Sequence, residues 1–355
     1  MTRAPLLLVR ADAGRAIGTG HVMRGLALAQ AWQDAGGEAR FALAPHAEPM
    51  AARLAAEGMT VMPVRGGGSA DDAADTTELA RRLGAHWVAV DGYGFGHRYQ
   101  AELRRSGAGV LCVDDGARVD GYAADVILDQ TLDADPAAYA HAPPGTRLLL
   151  GTEYALLRRE FRQWAKPARV EPAVATRVLV TVGGSDPLNA SSALLRALAT
   201  LGRPGLEVRV VVGPANPWLV ELQSLAAALP LAVSLCTAVT DMPGLMSWAH
   251  LALTGAGTTC WELLRMGVPM LTVTVADNQD GIAAALAAAG AALHLGGHAA
   301  LGSGDGASRA AERIALVLDD VTLRQRLAER GRSLVDGHGA ERVVEHLTSA
   351  LVDTR

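Results

Sequence analysis

The chain has 355 residues, a length that argues for about two domains. Half of its residues are hydrophobic, 19% are charged and 39 are glycine, which is typical of a globular α/β protein and excludes disordered and collagen-like chains. The 32 basic and 37 acidic residues leave a net charge of −5, so no concentrated positive surface for nucleic acid is expected, although a few arginines and helix N-termini suffice for a small anionic ligand.

The spacing of the cysteines and the length of the apolar runs indicate the cellular compartment. The cysteines, Cys112, Cys236 and Cys260, are far apart and lack CxxC spacing, so neither a disulfide framework nor a zinc site is expected. The apolar run at 6–9 is too short for a signal peptide, and the longest one, at 282–293, is well below the ~20 residues that span a bilayer. We therefore predict a cytoplasmic protein with no membrane segment.

Short β-like runs alternate with longer helical patterns along the whole chain. The predicted strands are 6–10, 38–42, 60–64, 87–90, 110–113 and 126–128 in the first half, and 177–182, 207–212, 232–236, 251–254 and 270–275 in the second. This βαβ alternation predicts two parallel sheets covered by helices.

A proline-containing segment separates the two halves. Residues 164–174 include Pro167 and Pro172, and proline continues neither a helix nor a central strand. We predict domains over 1–168 and 169–355, with the last helical patterns able to pack back on the first domain. Because open parallel sheets bind ligands beyond the carboxyl ends of their strands, the site is expected in the cleft between the domains.

The loop after the first predicted strand contains IGTGHVMR at 17–24. Gly18 and Gly20 allow the backbone to approach a ligand, and His21 is expected in the first turn of the next helix, where the helix dipole disfavours the imidazolium form. A neutral imidazole can act as a general base, although His21 could instead cap the helix. Arg24, one turn further on, would either approach a diphosphate or form a salt bridge at the domain surface. The loop lacks the third glycine of the GxGxxG motif and is therefore not a dinucleotide-binding fingerprint.

A second glycine-containing loop, GAGTTCWE at 255–262, also precedes a helical pattern. Small residues at this position leave the first helical amides open to phosphate oxygens, and Glu262 lies one turn further in, where it could accept hydrogen bonds from a ribose diol. The alternative is an ordinary N-cap with an acidic residue in the first turn. The residues expected around the phosphates are Gly255, Ala256, Gly257, Thr258 and Thr259.

Two further loops follow predicted strands. Gly183, Gly184 and Ser185 form a turn suited to backbone contact with a ligand, although Ser185 or Asp186 could simply cap the next helix. Tyr93, in the sequence DGYG, could hydrogen-bond a sugar or orient a water, whereas a tyrosine at a sheet edge more often packs with its hydroxyl in water.

Metal-binding patterns are weak. The DxD pattern of Asp133 and Asp135 is short and precedes a proline, while Asp114 and Asp115 could bind a cation, orient water or cap a turn. No HExxH occurs among the ten histidines, and those outside the glycine loop, including His86 and His250, are assigned to surface or packing positions. We expect no metal and no cofactor, and activity that is insensitive to EDTA.

Taken in order, these loops resemble the UDP-2,4-diacetamido-2,4,6-trideoxy-β-L-altropyranose hydrolases of pseudaminic acid biosynthesis. The resemblance covers residues 5 to about 340. It rests on RADAG…IGTGHVMR, on DGYG at 91–94, on VDDG at 113–116, on GTEYALLRREF at 151–161, on VTVGGSDPLN at 180–189, and on the GAGTTCWE and DNQ segments that end at Glu262 and Gln279. A weaker similarity to MurG-type glycosyltransferases is confined to the GxGH loop and the Glu262 helix.

The resemblance implies a GT-B-like fold, in which two Rossmann-like domains with parallel sheets face each other across a cleft. It also implies hydrolysis of a UDP-sugar at the anomeric carbon with inversion. His21 would be the base that activates water, Tyr93 and Asn278 would lie around the sugar with Gln279 in the same turn, and the second glycine loop with Glu262 would hold UDP. Family members often have serines at 256–258, so backbone contacts to the pyrophosphate are the safer expectation here.

Three other functions remain open at this point. A GT-B glycosyltransferase would use the same UDP-sugar donor site but pass the sugar to an acceptor instead of water. A hydrolysing UDP-sugar 2-epimerase would need additional acid and base groups. A non-catalytic nucleotide-sugar binding protein would be stabilised by its ligand without releasing UDP.

Overall fold

The computed structural model of the chain describes residues 4–14, 18–117, 119, 121–164, 170–302 and 305–353. Its contacts define two compact units: Met1–Arg162 together with Gly337–Arg355, and Gln163–Asp336. The chain therefore passes between the units twice, near residues 162 and 336. The sequence had predicted a single boundary, after residue 168. The predicted linker falls partly on 165–169, and Ile17 of the first glycine loop also lies outside the described residues.

Strands and helices alternate in both units. The strands are β1 (Leu6–Ala11), β2 (Glu38–Leu43), β3 (Thr60–Pro63), β4 (Trp87–Asp91), β5 (Gly109–Asp114), β6 (Val126–Asp129), β7 (Arg147–Leu150), β8 (Arg177–Thr181), β9 (Glu207–Val212), β10 (Ala232–Thr237), β11 (Leu251–Gly255), β12 (Met270–Thr274) and β13 (Leu293–Gly297). The α-helices are α1 (Gly20–Asp34), α2 (Ala51–Ala56), α3 (Ala70–Leu83), α4 (His97–Arg104), α5 (Arg159–Arg162), α6 (Ala190–Thr200), α7 (Leu219–Ala228), α8 (Met242–Trp248), α9 (Thr259–Met266), α10 (Asp280–Ala288), α11 (His298–Gly302), α12 (Gly306–Asp319), α13 (Val321–Leu334) and α14 (Gly339–Asp353). Short 3-10 helices cover Pro45–Met50, Pro136–Tyr139, Thr152–Tyr154 and Asp277–Gln279.

Each unit contains one parallel sheet. Among the described residues, the first unit has a seven-stranded sheet in the order β3-β2-β1-β4-β5-β6-β7, and the second has a six-stranded sheet in the order β10-β9-β8-β11-β12-β13. The paired strands run parallel throughout, as in β1 with β4 and β8 with β11. Every predicted strand is present with its ends within one residue, whereas β7 and β13 were not predicted.

The buried strands explain why the sequence reads as apolar runs. All residues of β1 and β11 are buried, because helices cover both faces of a parallel sheet. The first unit has apolar clusters on both faces of its sheet, one around Leu7 and Val9 and another around Leu6 and Leu8. Side chains alternate between the faces along a strand, so consecutive residues of β1 serve different clusters.

The last helix belongs to the first unit. α14 packs against α1, and its Val343, Val344 and Leu347 are buried in the same apolar cluster as Trp32. The indole of Trp87 in β4 donates a hydrogen bond to the carbonyl of Leu347 at 3.0 Å. α13, in contrast, packs against α9 in the second unit.

The two units share a histidine–backbone hydrogen bond where their central strands begin. His86 directly precedes β4, and its Nδ1 accepts the backbone amide of Leu6 at 3.1 Å. His250 directly precedes β11, and its Nδ1 accepts the amide of Thr176 at 3.1 Å. In each case the histidine accepts a backbone hydrogen bond at the start of the neighbouring strand. Both residues therefore have a structural role at the strand ends opposite the glycine loops.

Candidate active site

The loop after β1 places His21 in the first turn of α1. Gly14 and Gly18 exchange backbone hydrogen bonds of 2.9 and 2.8 Å, and Gly18 has a φ of 72°, a left-handed conformation that favours glycine. Thr19 is the N-cap of α1 but its side chain makes no capping hydrogen bond. The predicted helical position of His21 is therefore confirmed.

His21 faces a pocket of the first unit. Its side chain is almost fully enclosed, with 6% of the residue exposed, and its ring lies 5.0 Å from the ring of Tyr93 in an edge-to-face arrangement. The Nδ1 atom is buried and has no hydrogen-bond partner among the described residues. The pocket is lined by His21, Arg24, Asp91, Gly92, Tyr93, Val113, Asp114, Asp115 and Val119. Since buried polar atoms are normally satisfied, an unpaired imidazole nitrogen at a pocket is suited to a ligand or a water.

Arg24 forms ion pairs within this pocket. Its Nε and Nη2 atoms donate to the two carboxylate oxygens of Asp91 at 2.9 and 2.7 Å, and Nη1 donates to Asp115 at 2.5 Å. Burial alone would lower the pKa of Arg24, but attraction to Asp115 and Asp91 and hydrogen bonds to both raise it well above its usual value. The sequence left two interpretations of Arg24, a diphosphate contact and a surface salt bridge. The structure shows the salt bridge, but in a buried position.

Carboxyl groups from two neighbouring strand ends line the pocket together with Arg24. Asp91 ends β4, while Asp114 ends β5 and Asp115 follows it. Asp114 accepts a hydrogen bond from the hydroxyl of Tyr122 and another, of 2.7 Å, from the amide of Asp115. The pocket lining therefore carries three carboxyl groups and one guanidinium.

A second buried ion-pair network lies at the start of the His21 loop. Arg10 is fully buried and donates two hydrogen bonds to Asp12, at 2.7 and 3.0 Å, and two to Asp72, at 3.0 and 2.8 Å. The guanidinium also lies over the ring of Phe95, 4.9 Å from its centroid. Burial alone would lower the pKa of Arg10, but its hydrogen bonds to Asp72 and Asp12 raise it. This network was not predicted from the sequence, although an arginine within an otherwise apolar strand was a signal for it.

In the second unit, the three predicted loops meet at one edge of the sheet. β11 lies between β8 and β12, so the loops that follow these strands are neighbours. A Cβ added at Gly255 would lie 3.6 Å from Cγ1 of Val182 and 3.8 Å from Oε1 of Gln279. Gln279 also accepts the amide of Val275 at 3.0 Å, which holds the turn containing Asn278 against β12.

The loop after β8 combines an open glycine with a helix cap. The carboxylate of Asp186 accepts the amides of Ala190 and Ser191, at 2.7 and 3.0 Å, and so caps α6. Gly183 is exposed and has a φ of 79°, whereas Ser185 is buried. The capping alternative therefore applies to Asp186, and Gly183 is the exposed part of the turn.

The loop after β11 leads directly into α9. Thr258 occupies the N-cap position, but its side chain makes no capping hydrogen bond, so the ordinary N-cap interaction is not formed. Glu262 lies in the first turn and is half-buried. Gly257, Thr258 and Thr259 are also partly exposed, while Ala256 is buried.

The predicted site residues thus form two groups. Gly18, Gly20, His21, Arg24 and Tyr93 lie in the first unit. The remaining ones lie in the second unit, between the ends of β8, β11 and β12 and the first turn of the helix that follows each strand. In the DxD pattern, Asp135 caps a 3-10 helix by accepting the amide of Ala137 at 2.9 Å. In the part of the chain that the structure describes, no three His, Cys, Asp or Glu side chains are grouped so that they could hold a metal ion. No helix within the same residues has both the length and the apolar character needed to cross a membrane.

Comparison with known proteins supports the fold. Residues 177–299 match the family described as "Glycosyltransferase family 28 C-terminal domain". The chain is similar to the spore coat polysaccharide biosynthesis protein SpsG of Bacillus subtilis (strain 168), with 29% identity over 56% of this chain. That alignment covers 57% of SpsG, so the chain spans little more than half of this relative.

Two solved structures resemble nearly the whole chain. MurG of Acinetobacter baumannii has a TM-score of 0.65 and 20% identity, covering 97% of this chain and 100% of MurG. The MnaA–UDP co-structure from S. aureus has a TM-score of 0.71 and 13% identity, covering 98% and 97% of the two chains. The predicted α/β fold with two Rossmann-like parallel-sheet units of the GT-B type is confirmed, and the chain is glycosyltransferase-like in its fold and in its second unit.

Proposed function

We propose that the chain hydrolyses a UDP-sugar, releasing UDP and the free sugar with inversion at the anomeric carbon. The observation that carries this proposal is His21, whose buried and unpaired Nδ1 lies in a pocket beside Tyr93 at the start of α1. An imidazole in this setting is suited to accept a proton from water. The motif resemblance narrows the substrate to UDP-2,4-diacetamido-2,4,6-trideoxy-β-L-altrose, an intermediate of pseudaminic acid biosynthesis.

UDP is proposed to bind the second unit. The loop 255–259 leads into the N-terminus of α9, where backbone amides and the helix dipole favour phosphate oxygens. Glu262, half-buried in the first turn, would accept hydrogen bonds from the ribose hydroxyls, and Gly183 and Gly184 would contribute backbone contacts. The similarity of residues 177–299 to a glycosyltransferase domain, and the fold shared with a protein solved with UDP, support this location.

The proposed reaction is a single displacement. A water oxygen forms a bond to C1 while the bond between C1 and the UDP oxygen breaks, and the water proton passes to His21 and then to solvent. The ring gains positive charge in the transition state, and the carboxyl groups that line the pocket would favour it when ionised. The departing diphosphate takes the electron pair and is stabilised by the amides at the start of α9. Tyr93 and Asn278 would contact the sugar, with Gln279 holding the turn of Asn278.

Replacing His21 tests this assignment. His21→Ala should lower kcat by ~10²–10⁴, the usual contribution of a general base, and leave the Kd for UDP unchanged because UDP is assigned to the other unit. His97→Ala is the matched control, since His97 occupies the first turn of α4 in the same unit and is exposed. Near wild-type turnover by His21→Ala would overturn the role of His21.

A glycosyltransferase is the second candidate, favoured by the match of the second unit to the family 28 domain. It would use the same donor site and differ only in the nucleophile. Turnover that requires an added acceptor would favour transfer over hydrolysis.

A further inference from the structure

Arg24 connects three elements around the pocket. It lies in α1, its guanidinium is paired in a fork with Asp91 at the end of β4, and a third hydrogen bond reaches Asp115 after β5. Only 4% of Arg24 is exposed, and Asp91 is buried. We propose that Arg24 is a positioning residue, which holds His21 against the loop of Tyr93.

The spacing along α1 gives the first argument. His21 and Arg24 are three residues apart, so their side chains leave the same face of the helix and Arg24 fixes the rotation of that face. A guanidinium that pairs with both oxygens of one carboxylate constrains angle as well as distance. Lysine, a point charge on a flexible chain, would retain the charge without this constraint.

The partner of the fork gives the second argument. Asp91 is followed in the chain by Gly92 and Tyr93, and the Tyr93 ring meets the His21 ring edge-to-face at 5.0 Å. The Arg24–Asp91 pair therefore ties the helix of His21 to the strand end that carries Tyr93. The bond to Asp115 adds the strand end on the other side of β4, since β4 pairs with β5.

The competing role for Arg24 is direct binding of the diphosphate. The Nε, Nη1 and Nη2 atoms of Arg24 all donate to carboxylates already. Moving the guanidinium to a phosphate would leave Asp91 buried as an unpaired charge, which is strongly unfavourable. The geometry thus favours a fixed Arg24.

The test compares Arg24→Lys with the same substitution at Arg162, an ion-paired arginine remote from the pocket. Arg162 pairs with Asp34, at the other end of α1, at 2.7 Å and with Glu341 at 2.5 Å, and its side chain is also buried. This inference rests on the proposed hydrolysis for its kinetic readout. We expect Arg24→Lys to lower kcat by about 10- to 100-fold, as for small misplacements of reacting groups, with KM and the Kd for UDP within about twofold of wild type. Arg162→Lys should leave kcat within about twofold.

A second readout requires no substrate. The ring of Tyr93 shifts the proton resonances of the His21 ring, so NMR spectra of the free protein report their relative position. Arg24→Lys should change these resonances and Arg162→Lys should not. If Arg24→Lys does not fold, Asp115→Ala removes one bond to Arg24 and keeps the fork with Asp91, and it should produce smaller changes in the same direction.

The outcomes separate the positioning role from the proposed function. Unchanged His21 resonances in Arg24→Lys, or a Kd for UDP weakened tenfold or more with kcat preserved, would overturn the positioning role. An inactive wild-type protein would instead overturn the proposed hydrolysis, while the NMR comparison would still test the position of His21.

Discussion

At the scale of single residues, the hydrogen-bond partners of Arg24 come from distant parts of the chain. The glycine loop and the following helical pattern sufficed to place His21 in the first turn of α1. The ion pairs of Arg24 could not be predicted, because Asp91 and Asp115 are 67 and 91 residues away along the chain. Which carboxylate meets which arginine depends on the order of strands in the sheet, and no local pattern records that order.

The buried Arg10 network leads to a stability prediction. Arg10→Met should lower the free energy of unfolding by about 3–5 kcal/mol, because it leaves the fully buried carboxylate of Asp72 without the charge of Arg10. Urea denaturation followed by circular dichroism measures this change. Arg65→Met is the control, since Arg65 pairs with Asp75 on the surface and its loss should have no measurable effect. Equal stability of the two variants would contradict the structural importance of the network.

At the scale of elements, the strands were predictable because buried parallel strands are continuous apolar runs. The two that were missed have weak signals. β7, with the sequence RLLL, is only four residues long and follows a 3-10 helix instead of an α-helical pattern. β13, with the sequence LHLGG, follows an alanine-rich helix and ends in two glycines. The loops after β8 and β9 are also in contact, because the amide of Ala215 donates to the carbonyl of Gly184 at 3.1 Å. This contact could not be predicted, since it depends on the packing of two turns.

That contact predicts a specific glycine requirement. A Cβ at Gly213, directly after β9, would lie only 2.4 Å from the carbonyl oxygen of Gly184, so Gly213→Ala should displace the loop after β8. If UDP binds as proposed, its Kd measured by calorimetry should rise by about tenfold or more, comparable to the loss of one or two hydrogen bonds.

The control is Gly281→Ala in α10. Nothing lies within 4 Å of a Cβ at Gly281, and alanine is favoured over glycine in a helix by up to about 1 kcal/mol. This variant should bind UDP normally. Unaltered UDP binding by Gly213→Ala would show that the loop after β8 does not contribute to the nucleotide site.

At the scale of the whole molecule, the repeated βα rhythm was enough to predict two parallel sheets. The two units repeat the same strand order around their central strands, and even the strand-capping histidines His86 and His250 recur. The sequence allowed the last helices to pack on the first domain, and α14 does pack against α1. This contact could not be derived, because an apolar helix face near the C-terminus does not indicate which of the two cores it packs against. The residues assigned to catalysis lie in the first unit, and those assigned to UDP lie in the second.

The most direct test of the central claim is incubation of the full chain with UDP-2,4-diacetamido-2,4,6-trideoxy-β-L-altrose and no acceptor, followed by ¹H NMR. The account predicts UDP and free sugar in equal amounts, and the first sugar signal should be that of the inverted anomer. Absence of UDP release without an acceptor, with turnover once an acceptor is added, would contradict hydrolysis.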